Sequence, residues 1–184
     1  MARYPKDAGP IVSKVPEGDN RARLVCEACG FIHYHNPKVV VGAVCGYEGK
    51  ILLCRRAIEP RTGFWTIPAG YLELNETSLE GAAREALEEA KAEIEVEALL
   101  AVYNIPRIGQ LQLIYRARLE NARIGPGPES LETRLFDWRE IPWDELAFPS
   151  TRWALEHFRE LEGVALFQPR TNPRGETGDF APGR

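Results

Sequence analysis

A mixed α/β/α sandwich carrying a small ribbon-like arm at its N-terminus is predicted by three observations. Strand-like runs after residue 37 come in hairpin pairs, helical stretches are inserted between them, and the first forty residues are polar and rich in turn formers. The mixture of hairpins and inserted helices favours a mixed sheet over a doubly wound parallel one. Three segments follow: an arm at 1–37, a main domain at 38–167 and a tail at 168–184.

The arm holds Pro5, Gly9, Pro10, Pro16, Gly18 and Pro37, with short strands expected around the pair Cys26 and Cys29. The main domain opens on Val39–Val44, an apolar run suited to a buried strand. Glu48-Gly49 is a hairpin signal, and Ile51–Cys54 is the return strand. Gly63–Pro68 is extended and closed by Pro68 and Gly70. A helix is predicted over Ser78–Ala90. Thr77 and Glu80 make a capping box at its start, and Leu79, Ala83, Ala86, Leu87 and Ala90 recur at helical spacing as its buried face.

Strands follow near Val96–Ile105 and Gln110–Leu119. In the second, Leu111, Leu113, Tyr115, Ala117 and Leu119 share one face. Asn121–Ser130 is a loop containing Gly125-Pro126-Gly127-Pro128, and Arg134–Trp138 is a strand. Pro142–Leu146 suggests a helical turn. Ser150–Leu161 is an amphipathic helix capped by Ser150, with Trp153, Ala154, Phe158 and Leu161 inward. The tail, with three prolines, three glycines and three arginines, is expected to be flexible or draped on a partner.

Composition narrows the function classes. The chain has 184 residues and a net charge of −4, which argues against a protein whose main task is to coat nucleic acid or an anionic membrane. No apolar run approaches a membrane span, and Met1–Pro10 has no hydrophobic stretch, so the cytoplasm is the expected compartment. Cys45 and Cys54 lie in apolar runs and read as small buried hydrophobes.

The chemistry is concentrated between Gly70 and Glu89. Glu85, Glu88 and Glu89 stand at i, i+3 and i+4, which places three carboxylates on one helical face. Like charges at that spacing repel, so a cation should compensate them. Magnesium suits the set, because it takes a few carboxylates and keeps water and phosphate oxygens as its other ligands. Glu76 and Arg84 can pair and clamp the preceding loop to the helix. Gly70 lets the backbone approach closely and offers a carbonyl to the same metal.

Gly70, Glu76, Arg84, Glu85, Glu88 and Glu89 together resemble the signature box of the Nudix hydrolases, G-x5-E-x7-R-E-U-x-E-E-x-G-U, with U apolar. The resemblance implies an α/β/α sandwich and magnesium-dependent hydrolysis of a nucleoside diphosphate linked to another moiety, with manganese as a substitute ion. The box asks for glycine where this chain has Lys91. Lys91 either adopts the left-handed conformation glycine favours or lets the helix run on. In the family a general base comes from the box helix or from a loop across the site. The loop candidates here are Glu129 and Glu132, and the two are not distinguished. Arg55 and Arg56 end a strand leading toward the site, and either could meet phosphate. Trp65 is read as a core residue.

Further stretches resemble one Nudix subgroup, bacterial and plastid enzymes acting on ADP-ribose or FAD. They are Val15–Asn20, Ile32–Lys38, Leu53–Arg56, Gly127–Glu132 and Ile141–Phe148. The likeness implies ADP-ribose, hydrolysed to AMP and ribose 5-phosphate, as the first substrate and FAD as the second. It also implies a homodimer. The S-Q-P-W-P-F-P stretch of NADH pyrophosphatases is absent. The subgroup's N-terminal zinc ribbon uses two C-x-x-C pairs. This chain keeps Cys26 and Cys29 but has Pro5 and Ala8 where the other pair should stand, so zinc is not expected. His33 and His35 could complete four ligands with Cys26 and Cys29, but they follow closely and the geometry is cramped. The alternatives are a non-catalytic nucleotide sensor and an adaptor arm. The three intact glutamates oppose the first, and the net negative charge opposes the second.

Overall fold

A computed structural model describes residues 9–178. Pro5, Ala8 and the first eight residues, on which part of the zinc argument falls, lie outside the described residues. Two compact units divide between Asn36 and Pro37.

The first unit is a small antiparallel sheet of β1 (Val12–Lys14), β2 (Arg23–Val25) and β3 (Ile32–His33), in that order. Asp19 braces the turn before β2: its carboxylate accepts from Arg23 Nε at 2.9 Å and from the Asn20 amide at 2.7 Å. Between β2 and β3 the Cys26 carbonyl accepts from the Gly30 amide, and the Cys26 amide donates to Phe31, both at 2.8 Å. This tight knuckle buries Cys26 and leaves Cys29 exposed. The Cys29 amide, the Cys29 thiol and the Ala28 amide hold the Cys26 thiol below its ordinary range.

The second unit contains β4 (Lys38–Tyr47), β5 (Lys50–Arg56), β6 (Trp65–Thr66), β7 (Ala69–Tyr71), α1 (Ser78–Ala90), β8 (Ile94–Ile105), β9 (Gln110–Leu119), β10 (Ser130–Asp137) and α2 (Pro149–Glu160). The sheet runs β10-β5-β4-β9-β8, with β6 beside β5 and β7 beside β4. β4 and β9 pair in parallel, from Lys38 opposite Gln110 to Gly46 opposite Arg118, and the other pairings are antiparallel. The sheet is therefore mixed, as the hairpins predict.

Each face of the sheet carries its own core, because alternate residues of a strand point to opposite sides. One core gathers Val44, Leu53, Trp65, Tyr103, Ile114 and Phe136 under Trp153, Ala154 and Leu155 of α2. Trp65 meets Phe136 edge-on with ring centroids 4.9 Å apart. The other core sets Val41, Ala43, Cys45, Leu52, Cys54 and Tyr115 against Ala82, Ala86 and Ala90 of α1. Cys45 and Cys54 are buried, and burial pushes the Cys45 thiol up to about 12.

Two helix expectations need correction. The buried face of α1 is Gly81, Ala82, Glu85, Ala86, Glu89 and Ala90, whereas Leu79 and Leu87 are about half exposed. Small residues win the inward face because the helix lies very close to the sheet: a Cβ on Gly81 would fall 2.9 Å from Val41 Cγ2. In α2 Ser150 is not the cap. Phe148 occupies that position without a side-chain bond, and Pro149 opens the helix, where a missing N–H costs nothing.

The capping box of α1 is formed, with Thr77 Oγ1 accepting from the Glu80 amide at 3.2 Å and Glu80 Oε2 accepting from the Thr77 amide at 2.7 Å. Thr77→Ala is expected to cost about 1 kcal/mol of stability and to lower the melting temperature by roughly 2–4 °C, measured by calorimetry. At the other end Lys91 is left-handed, with φ 52° and ψ 26°, and its amide donates to the Ala86 and Leu87 carbonyls. The helix therefore stops at the position where the family box places glycine.

The segment 168–178 bonds to the chain itself. Arg170 joins the free edge of β8: its amide donates to Leu100 O at 2.8 Å and its carbonyl accepts from Val102 N at 2.9 Å. Asn172 continues the pairing through its side chain, accepting from the Asn104 amide and donating to the Asn104 carbonyl, each at 2.8 Å.

Candidate active site

α1 packs directly on β4, and β7, which pairs with β4, brings its backbone against two of the helix's glutamates. A Cβ on Gly42 of β4 would sit 2.4 Å from that of Ala69, so β7 can pair this closely only beside a glycine. Gly70, next along β7, meets Glu85 in the same way: a Cβ there would lie 2.4–2.5 Å from all three atoms of the Glu85 carboxylate group. Glu89 reaches the same strand end, where its Oε2 accepts from the Ala69 amide at 3.2 Å.

Arg84 organises the near side. Its Nε and Nη2 donate to the two Glu76 oxygens at 2.9 and 2.8 Å, the parallel two-bonded arrangement that suits a guanidinium and a carboxylate. Nη2 also donates to the Tyr71 carbonyl at 3.0 Å, and Glu76 Oε1 accepts from the Glu73 amide at 2.7 Å, so the loop from Tyr71 to Glu76 is tied to the helix at several points. Arg84 holds the Glu76 carboxyl down at about 2, with the Glu73 amide assisting. The arginine does more than the sequence suggests. Its Nη1 donates to Glu85 Oε1 at 2.7 Å and to Glu88 Oε2 at 3.0 Å, which engages one oxygen on each of two further glutamates.

The three box glutamates differ in surroundings. Glu85 and Glu89 are buried and Glu88 is exposed. Burial pushes the Glu89 carboxyl up to about 8. The Ala69 amide and the charge of Arg56 offset part of this, while Glu85 and Glu129 add to it. Burial likewise raises Glu85 against the pull of Arg84. Among the described residues no three His, Cys, Asp or Glu side chains form a ready-made metal cage. The donor set nevertheless fits a hard divalent ion. Glu85, against the Gly70 backbone, and Glu89, at the Ala69 amide, are buried carboxylates of raised pKa, and the side-chain donors they bring are all oxygen.

A cleft of about 1040 Å³ contains this cluster. Gly70, Arg84, Glu85, Glu88 and Glu89 line it together with Arg56, Glu129, Phe148 and Tyr71. A second cavity of about 330 Å³, walled by Tyr47, Arg116, Trp138 and Phe158, holds no carboxylate cluster.

The remaining candidates separate by register. Arg56 lines the cleft, stacks over the Phe148 ring at 5.1 Å and donates through Nε to the Pro60 carbonyl. Arg55 points elsewhere: its Nε donates to Gly63 O at 2.9 Å, and it faces Glu132 across the β5–β10 pair at 3.9 Å. Glu129 lines the cleft, whereas Glu132, paired with Arg55, does not. The loop carrying Glu129 is pinned to the end of α1. The Gly125 amide donates to Ala90 O at 2.8 Å and the Gly127 amide to Glu89 O at 3.0 Å, which satisfies carbonyls that a helix end leaves unpaired. Sequence reasoning did not find Gln110, Gln112 and Ile105, which also wall the cleft. Gln110 and Gln112 share the polar face of β9, and that alternation is the signal that could have found them.

The NUDIX domain family model matches residues 35–161, and a Nudix N-terminal model, a zinc-ribbon type, matches residues 8–35. The ribbon match weighs against the expectation that zinc is absent, although the chain has only one C-x-x-C pair. A crystal structure of a NUDIX hydrolase from Nitrosomonas europaea is 44% identical and superposes with a TM-score of 0.84, covering 94% of this chain and 99% of that one. An ADP-ribose pyrophosphatase of Methanocaldococcus jannaschii is 28% identical over 134 residues, 71% of this chain and 78% of the relative. An NAD-capped RNA hydrolase of Stutzerimonas stutzeri is 32% identical over 141 residues, 75% of this chain but only 49% of the relative.

Proposed function

This chain belongs to the NUDIX domain family of pyrophosphohydrolases, and from that membership we propose that it hydrolyses ADP-ribose to AMP and ribose 5-phosphate, with FAD as a second substrate and magnesium as the ion. The observation that supports this reading most is the convergence of Glu85, Glu88 and Glu89 with Gly70 on a single cleft. ADP-ribose comes first because the Methanocaldococcus jannaschii relative is named for that substrate.

Glu85, Glu88, Glu89 and the Gly70 carbonyl would hold a divalent cation, which would supply charge neutralisation at the diphosphate and make water a better nucleophile. The protein's own groups do the rest. Arg56 offers a guanidinium to the non-bridging phosphate oxygens. Glu129, on the pinned loop, takes a proton from the attacking water. Water oxygen bonds to one phosphorus, the bond from that phosphorus to the bridging oxygen breaks, and the leaving phosphate carries the bond electrons. Arg84 and Glu76 hold the loop and the helix in register, and the protein acts as a homodimer in the cytoplasm.

The test is a panel of ADP-ribose, FAD, NADH and nucleoside triphosphates with magnesium, manganese or neither. ADP-ribose is expected to give the highest kcat/KM, with activity lost on chelation. Preferential turnover of NADH or of triphosphates would replace the substrate assignment, and metal-independent turnover would remove the proposed role of the glutamates.

A further inference from the structure

The strap along β8 reaches the cleft. Asn172 and Arg170 fix it to the sheet edge, and six residues beyond Asn172 the chain brings Gly178 onto Ile105, where Gly178 becomes part of the cleft wall. The approach is close. Gly178 is buried with φ +77°, and a Cβ there would fall 2.4 Å from Ile105 Cδ1. Only glycine takes this conformation without strain and leaves room for the isoleucine.

This end of the cleft differs in chemistry from the glutamate end. Ile105, Ile108 and Ile114 make an apolar shelf, and Gln110 and Gln112 stand beside it. Gln112 Nε2 donates to Gln110 Oε1 at 3.1 Å and Gln110 Nε2 to the Tyr71 hydroxyl at 3.5 Å, which leaves the Gln112 carbonyl oxygen and further N–H positions of both carboxamides for a ligand. A shelf of branched aliphatics with carboxamides at its rim suits a flat ring whose edge carries both donors and acceptors. The glutamate end suits a phosphate group and its ion, and the two together match the two ends of a nucleotide.

The geometry points to residues 170–178 as a specificity element: the strap closes the β9 end of the cleft so that Ile105, Ile108 and Gly178 receive the nucleobase, with Gln110 and Gln112 reading its edge. The identity of the base as adenine rests on the ADP-ribose reading above. The strap itself rests on the bonds of Arg170 and Asn172 and the contact of Gly178.

The experiment is equilibrium binding by titration calorimetry in the presence of magnesium, with AMP and ribose 5-phosphate as separate probes, because neither requires turnover. Asn172→Ala releases the strap, and Gly178→Ala strains its left-handed backbone and crowds the Ile105 side chain. Each is expected to weaken AMP binding roughly tenfold while leaving ribose 5-phosphate binding within about twofold. Unchanged AMP binding in both variants, equal weakening of the two probes, or failure of the unaltered protein to bind AMP overturns the inference. Selective weakening of AMP binding by both variants, in a protein that does not cleave ADP-ribose, would instead uphold the strap and defeat the proposed activity.

Discussion

Glu89→Gln is expected to lower kcat for ADP-ribose about a thousandfold, the equivalent of about 4 kcal/mol of transition-state stabilisation, without lowering the melting temperature. The two halves of this result have separate causes. Glutamine keeps the shape of the side chain and an oxygen to accept from the Ala69 amide, which Glu89 Oε2 does at 3.2 Å. It removes the negative charge that a divalent ion needs from its ligand. Stability should hold or rise because burial pushes the Glu89 carboxyl up to about 8, so the native fold disfavours its charged form. An acid raised in the folded state releases its proton less readily there than in the unfolded chain. The folded protein therefore loses stability as pH climbs from the ordinary carboxylate range toward the raised value. Glutamine removes that loss. Steady-state kinetics and a melting curve on one preparation check both halves, and a rate within threefold of the unaltered protein would dismiss Glu89 as a metal ligand.

Gly127→Ala is expected to cost about 3 kcal/mol or more and to reduce activity with it. A Cβ at this position would lie 1.6 Å from the Glu88 carbonyl oxygen and 2.8 Å from its carbon, both backbone atoms that no rotamer can move. The loop would have to lift from the helix end. It would lose the Gly127 and Gly125 bonds to the Glu89 and Ala90 carbonyls and carry Glu129 out of the cleft. Gly125→Ala is the matched control, because its Cβ would meet only Lys91 Cδ at 3.5 Å, an ordinary contact. Urea denaturation of the two variants should separate them clearly. Equal stabilities would mean that the loop does not press on the helix as described.

The local signals in the sequence proved sufficient wherever one element explains itself. The capping box at Thr77 and Glu80 sets where α1 begins, and the Glu85, Glu88, Glu89 spacing sets which residues share its face. Matters that depend on a neighbour were not legible. Leu79 and Leu87 have the right period for a core face, but period does not register how near the sheet stands, and proximity gave that face to alanine and glycine. Arg55 and Arg56 are equivalent in sequence, yet strand alternation sends one to Glu132 and the other to the cleft, and only the β5–β10 register decides which. Glu129, in the loop just ahead of β10, lines the cleft, whereas Glu132 lies within β10 opposite Arg55. The reach of Arg84 to Glu85 and Glu88 was also hidden, because a guanidinium that pairs in sequence with Glu76 has further donors whose targets depend on the helix's own geometry.

The parallel pairing of β4 with β9 has a consequence for how the chain is made. β4 is among the first strands of its unit to leave the ribosome, but its parallel neighbour begins only at Gln110, after β5, α1 and β8 have been synthesised. Until then the apolar stretch Val39–Val44 has one side open to any passing strand, and the nascent chain is vulnerable to association with its neighbours. Arrested chains ending before β9 should therefore depend on chaperones, and that dependence should fall once β9 has emerged.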